Sequence, residues 1–209
     1  MFTWIIITRL ADTVVMLPAA ALCLTWLLMG GATRLAGWWC VLLSGGLIAV
    51  AATKIAYLGW GIGIPALDFT GISGHAMRAT AVMPVLLCLV FINASRHVRV
   101  GAITAGMLSG VLIGVSRLMV HAHSPSEAVA GCVLGAVVSA TFLCMLFRVP
   151  QPPLRFRERR ALPLLLLLLV PIFAAKPAPT ERWLHVVATT LSGHDQLYRH
   201  DHDKRERGV

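Results

Sequence analysis

The stretch Ser116-Arg117-Leu118-Met119-Val120-His121-Ala122-His123-Ser124-Pro125-Ser126-Glu127 decides how this chain is read. It carries an arginine, two histidines and a carboxylate, and it joins two long apolar runs, 102–120 and 128–147. One charge at the centre of a bilayer costs ~2.5–3.5 kcal/mol even on a lenient insertion scale, so such charges face a polar site rather than hydrocarbon. The stretch therefore reads as the rim of a reactive site, placed where one membrane span ends and the next begins.

Composition points the same way. Of 209 residues 57% are hydrophobic and only 13% charged, which excludes an ordinary soluble domain and predicts a polytopic, all-α membrane bundle. The formal net charge of +9 speaks of topology first, because Lys and Arg gather in cytoplasmic loops. No nucleic-acid motif accompanies it, and nucleic acid is not an expected partner. The five cysteines lie within apolar runs without C-x-x-C spacing and read as small packing residues. Arg9 and Asp12 interrupt the first apolar stretch, so no cleavable leader is expected.

Outward from the central stretch, six segments approach the ~20 apolar residues that cross a bilayer as a helix. They are Thr13 to Gly30, Trp38 to Tyr57, Ala76 to Ala94, Ala102 to Val120, Ala128 to Phe147 and Ala161 to Ala175. Residues 1–10 either extend the first span or lie along the interface. The expected organisation is a membrane-embedded domain over 1–175, followed over 176–209 by an amphipathic segment, Glu181 to Leu191, and a polar tail. Arg34, the pair Arg96 and Arg99, and the cluster Arg148, Arg155, Arg157, Arg159 and Arg160 mark three connections as cytoplasmic. The connections after spans two and four, and both termini, then lie outside.

Those two outer connections hold most of the reactive chemistry. The first follows Lys54 and runs through Gly59-Trp60-Gly61-Ile62-Gly63-Ile64-Pro65 to Asp68-Phe69-Thr70-Gly71-Ile72-Ser73-Gly74-His75. Its glycines allow close approach of backbone to a ligand. Ser73 is positioned to cap the third span, which would set free N–H groups and the positive end of a helix dipole beside Gly74 and His75, an anion site in outline.

Three motifs now resemble the type 2 phosphatidic acid phosphatase (PAP2) family. Ser116-Arg117, five residues, His123, three residues and Glu127 is similar to its S-R-x5-H-x3-D; Ser73-Gly74-His75 is similar to P-S-G-H; and Lys54 is similar to the start of K-x6-R-P. The motifs fall in family order between Lys54 and Ala140. Three positions depart: Gly61-Ile62 stands where the family has Arg-Pro, Ile72 replaces a proline, and Glu127 replaces an aspartate. The absent arginine removes a planar phosphate clamp. Arg78, one turn into the third span, is the candidate to restore part of that charge.

The resemblance implies a PAP2/haloperoxidase-like helical core and a metal-independent phosphatase with no cofactor. It implies that His123 attacks phosphorus to give a phosphohistidine, that His75 protonates the leaving oxygen and then activates water, and that Glu127 holds His123. Lys54, Ser73, Gly74 and Arg117 would meet the phosphoryl oxygens. The implied substrate is a lipid phosphate or diphosphate (undecaprenyl diphosphate, phosphatidylglycerol phosphate, phosphatidic acid or a lipid A phosphate), and the implied location a bacterial inner membrane with the site facing outward. Transfer of the phosphoryl group to another lipid is the alternative within the same chemistry. A non-catalytic transporter or scaffold is the alternative outside it, and charges at one rim rather than at the midplane speak against that.

Plainer roles exist for the same residues. Lys54 can snorkel to headgroups, and Arg117 can anchor at the interface. Ser124-Pro125-Ser126-Glu127 is a capping box, a role open to Glu127 alongside the holding of His123. His121 misses the motif spacing and reads as a bystander. Asp12 lies on the same outer side as the site, where pairing with a basic residue is the alternative to the solvated loop carboxylate that it, like Asp68, first reads as; the His- and Asp-rich tail after 193 reads as a solvated segment ahead of an adventitious transition-metal site.

Overall fold

The computed structural model describes residues 2–148 and 180–193. Seven α-helices account for most of them: α1 (Phe2–Arg9), α2 (Thr13–Met29), α3 (Thr33–Trp60), α4 (Gly74–Val90), α5 (Arg96–Met119), α6 (Pro125–Arg148) and α7 (Thr180–Ser192). The described residues contain no strand, only a bridge between Ile64 and Phe69 that pinches the loop after α3 around a 3-10 turn at Pro65–Leu67. The all-α membrane architecture expected from composition is therefore the one observed. By length and composition α3, α5 and α6 can each cross a bilayer, and α2 and α4 are shorter apolar helices. The sixth expected span, 161–175, and the arginine cluster Arg155 to Arg160 lie outside the described residues.

Boundaries differ from the apolar runs where local chemistry extends a helix. α5 starts six positions before its apolar run, because the Ser95 side chain accepts from the Val98 N–H and lets Arg96, His97 and Arg99 form the first turn. α3 runs to Trp60 and is stopped by Gly61 in the left-handed conformation (φ 68°). Residues 2–9 form their own short helix. A tight turn, with Ala11 and Asp12 N–H groups donating to Thr8 and Arg9 carbonyls, separates it from α2.

α4 is the axis of the bundle. Fourteen of its 17 residues are buried, so it has no lipid-facing side and must be packed on from several directions. Small residues make that possible, as they do where membrane helices approach closely. On α5, a Cβ added at Gly110 would stand 2.6 Å from Thr80 Cγ2, and one at Gly106 would stand 2.6 Å from Pro84 Cα. On α6, Gly131 lies against Ser73 and Ala76, and Gly135 against Thr80 and Met77. At the other end, Trp39 of α3 meets Phe142 of α6 edge to face (5.1 Å), and its Nε1 donates to the Ala20 carbonyl of α2 at 3.0 Å.

The chain order fixes which helix ends meet. From Thr33 to Lys54 α3 rises ~32 Å, close to the ~30 Å of hydrocarbon. Lys54 therefore stands at the same rim as the start of α4, the end of α5 and the start of α6. α7, at the segment expected to be an amphipathic helix, packs there too: Ala188 is fully buried and Ser192 lies against Gly59, while Trp183, Val186 and Leu191 stay exposed.

Candidate active site

The loop between α3 and α4 is lashed down at both ends. Ile72 N–H donates to Thr53 Oγ1 at 3.1 Å, and Gly71 lies so close to Lys54 that an added Cβ would stand 2.9 Å from Lys54 Cγ. The Ser73 N–H then donates to the Glu127 carbonyl at 3.1 Å. Residues far apart in sequence, 73 and 127, thus share a backbone hydrogen bond, and the start of α4 is fixed to the first turn of α6.

Around that bond the candidate residues gather. His123, in the connection between α5 and α6, contacts Glu127 Oε2 through Nδ1 at 2.7 Å. The same Oε2 accepts the Ser124 N–H at 3.3 Å, and the Glu127 N–H donates to Ser124 Oγ at 3.4 Å. The capping box and the holding of His123 are thus both present, one carboxylate serving each. The other oxygen, Oε1, accepts from Thr70 N at 2.8 Å and from Thr70 Oγ1. Glu127 is 3% exposed, and its two oxygens are met by four hydrogen-bond partners. Such a carboxylate cannot rotate freely, so neither can the imidazole bound to it.

With Nδ1 engaged, Nε2 is the nitrogen left to face a substrate. His75, one residue into α4, lies within electrostatic reach of Arg117, Arg78, His123 and Lys54. His123 in turn feels Lys54 and Arg117. Burial pushes the His123 imidazole below the usual histidine range; Lys54 and Arg117 push the same way, and Glu127 opposes them. Cations so close together repel, and the arrangement is complementary to a multiply charged anion.

Ser73 occupies the N-cap position of α4, but its hydroxyl makes no capping bond, contrary to the simplest expectation. It is fully buried and, among the described residues, Ser73 Oγ and Arg78 Nε are buried without a hydrogen-bond partner. The hydroxyl and the first-turn N–H groups of Gly74 and His75 thus remain as donors to an anion. All eight sequence-predicted residues (Lys54, Ser73, Gly74, His75, Arg78, Arg117, His123 and Glu127) belong to helix ends and loops at this one rim.

Residues 52–151 match the profile of the PAP2 superfamily. A Klebsiella pneumoniae protein, described as an uncharacterized 22.5 kDa protein in cps region, is 35% identical over 197 residues, covering 93% of this chain and 94% of the relative. The chain belongs to the PAP2 superfamily. Membership supports a phosphatase-type function, hydrolysis of a phosphoric ester, in a membrane-embedded protein. No solved structure matches the chain significantly.

Against the PAP2 pattern, Gly61 is the cap that ends α3, so no side chain at that position reaches the site. Asp12 departs from the solvated reading: it is half-buried and lies within electrostatic reach of Arg78. Asp68 and His121 are exposed, each at a left-handed turn (φ 51° and 53°). Three contributors escaped the sequence reading. Thr70 bonds Glu127; Thr8 of α1 pairs its hydroxyl with Ser116 Oγ at 2.9 Å; and Ser126 donates to the Leu67 carbonyl at 2.8 Å. A hydroxyl in a polar loop carries no spacing signal, so only the fold could show which ones matter.

Proposed function

We propose that this chain is a metal-independent lipid phosphate or lipid diphosphate phosphatase, acting on the extracytoplasmic side of a bacterial inner membrane through a phosphohistidine at His123. The observation that carries the reading is the 2.7 Å contact between His123 Nδ1 and Glu127, inside a ring of cations that His75 shares. It orients the ring, selects the tautomer with Nε2 unprotonated, and stabilises the imidazolium character that builds up on attack.

The steps follow from the donors present. A phosphoryl group enters among Lys54, Arg117, Ser73 Oγ and the first N–H groups of α4, whose positive partial charges match its equatorial oxygens. His123 Nε2 attacks phosphorus as the bond to the lipid oxygen breaks, and His75 gives its proton to that oxygen. The bound dianion supplies the counter-charge for that proton. His75, now neutral, takes a proton from water as the water oxygen attacks phosphorus; the P–N bond breaks and phosphate leaves with His123 regenerated. Positioning and electrostatics do nearly all the work, as is general for phosphoryl transfer.

A lipid substrate is supported by the depth of the site: its residues stand at helix ends level with the bilayer rim, where a headgroup can reach them while its tails stay between helices. The outward side is supported by charge, since Arg34, Arg96 and Arg148 stand at the helix ends opposite Lys54, His75 and His123. The test is phosphate release from a panel of lipid phosphates and diphosphates in detergent without divalent metal. Wild type should release phosphate and His123→Ala should not; equal release from both would overturn the reading.

A further inference from the structure

Among the described residues Arg78 is the one basic side chain that is buried, at 8% exposure. A guanidinium out of water needs charge and hydrogen bonds around it to offset its lost hydration. Its surroundings supply these incompletely. Nη2 makes a long contact with the Ala11 carbonyl at 3.5 Å, and Nε has no partner. No ion pair within 4.0 Å joins Arg78 to a carboxylate among the described residues; Asp12 acts on it through space as the favourable charge, and Arg117 as an unfavourable one. The side chain folds back along α4 toward its N-terminus: a Cβ at Gly74 would stand 3.4 Å from Arg78 Nη1, so the fork lies in contact range of Gly74. The guanidinium thereby lies beside Gly74 in the first turn of α4, one residue after Ser73, whose buried hydroxyl has no partner, and within electrostatic reach of His75.

We infer that Arg78 is a phosphoryl-binding residue that takes over the clamp absent at Gly61, and that Asp12 supplies the through-space counter-charge that the arriving anion replaces. The identity of that anion rests on the phosphatase reading; the exchange itself does not. An arginine in this place can present two parallel N–H donors to phosphoryl oxygens, which an ammonium cannot. Asp12 does not touch the anion. It is a positioning residue, offsetting the guanidinium charge through space while the site is empty and so competing with the ligand. Because Asp12 sits in the turn between α1 and α2, and Thr8 of α1 is paired with Ser116, the N-terminal segment is tied to the occupancy of the site.

The test is binding of inorganic phosphate to the full chain in detergent, by isothermal titration and by the phosphate dependence of Tm. Arg78→Ala should weaken binding by at least about 30-fold, in line with loss of a charge-assisted bidentate contact. Arg78→Lys should fall between, because it keeps the charge and loses the fork. Asp12→Asn should bind phosphate several-fold more tightly, since the competing carboxylate is gone. An Arg78→Ala protein that binds as wild type does would overturn the inference. So would Asp12→Asn weakening binding as much as Arg78→Ala, the signature of a brace with no ligand role. If Arg78→Ala does not fold, the Lys and Asn variants carry the test: opposite shifts support the exchange, and two unchanged affinities overturn it. Hydrolysis is read separately with His123→Ala. Phosphate affinity that depends on Arg78 in a chain with no hydrolytic activity would uphold this inference and remove the reaction.

Discussion

The Ser73 N–H donates to the Glu127 carbonyl at 3.1 Å, joining the first turn of α4 to the first turn of α6. The bond matters because it lies close to both histidines of the proposed reaction: His75 is on the first turn of α4, two positions after Ser73, and His123 is in the connection just before α6, held by the Glu127 side chain. Relative placement of the two imidazoles is therefore set by this backbone bond together with the Glu127 side chain that holds His123.

Glu127 is the residue whose replacement should separate catalysis from folding. In Glu127→Gln the amide oxygen can still accept from Thr70, but the amide nitrogen cannot accept from His123 Nδ1 or the Ser124 N–H. The tautomer of His123 is then no longer selected, and kcat should fall by roughly 10²–10⁴, the scale seen when a triad carboxylate becomes an amide. Glu127→Ala should in addition leave the Thr70 and Ser124 N–H groups without acceptors, costing about 1–3 kcal/mol for each that stays dry. Thermal unfolding of the two variants beside their kinetics would check this. A Gln variant with full activity would sink the holding role.

Thr70 gives a finer probe of the same carboxylate. Thr70→Val removes the hydroxyl and keeps the N–H bond, so kcat should drop by about tenfold, the equivalent of one net hydrogen bond of ~1.4 kcal/mol. Thr70→Ser should restore most of it. Equal losses in Val and Ser would point instead to the threonine methyl and to loop packing.

The pH profile should move in opposite directions for two substitutions. His123 attacks as the neutral imidazole, and burial lowers its pKa, so the nucleophile stays competent below the ~6.5 of an ordinary histidine and the acid limb of kcat/KM lies on the acid side of it. Lys54 also pushes that pKa down; Lys54→Ala should shift the limb toward higher pH. Glu127 holds it up; Glu127→Gln should shift the limb toward lower pH while lowering the plateau. Limbs that coincide in all three proteins would mean that the profile reports a group other than His123.

Packing of α4 is tested at its glycine contacts. Gly110→Ala forces a Cβ to within 2.6–2.9 Å of Thr80 backbone and side-chain atoms, and Gly135→Ala drives one into Thr80 and Met77. Each should cost about 1–3 kcal/mol, the range for overpacking a tight core. Gly37→Ala and Gly45→Ala, with nothing within 4 Å, should change Tm little or raise it. Similar Tm values for the two sets would contradict the close helix approach.

Much of this architecture was legible in the chain, for physical reasons that can be located. Apolar runs of about bilayer length announced α2 to α6, since no other arrangement satisfies their backbone in lipid. The spacing from Ser116 to Glu127 placed Glu127 four residues after His123, where its carboxylate can hold the imidazole. Polar contacts across distant segments were not legible. Thr70 on Glu127 and Thr8 on Ser116 depend on which loop lands on which helix end, and residue type alone does not encode that; Asp12 was readable as a counter-charge for some basic residue, but not for Arg78 in particular. Ser73 shows the converse: its N-cap position was readable, but the idle state of its hydroxyl was not.

The most direct measurement is capture of the covalent intermediate. Phosphorus-labelled p-nitrophenyl phosphate has a leaving group good enough to depart without a proton from His75, whereas breakdown of the intermediate still needs His75 to activate water. In His75→Ala the label should therefore accumulate as an acid-labile, alkali-stable adduct on the peptide carrying His123, and it should vanish in the double variant with His123→Ala. Absence of any such adduct in His75→Ala, or an adduct that survives loss of His123, would contradict the account.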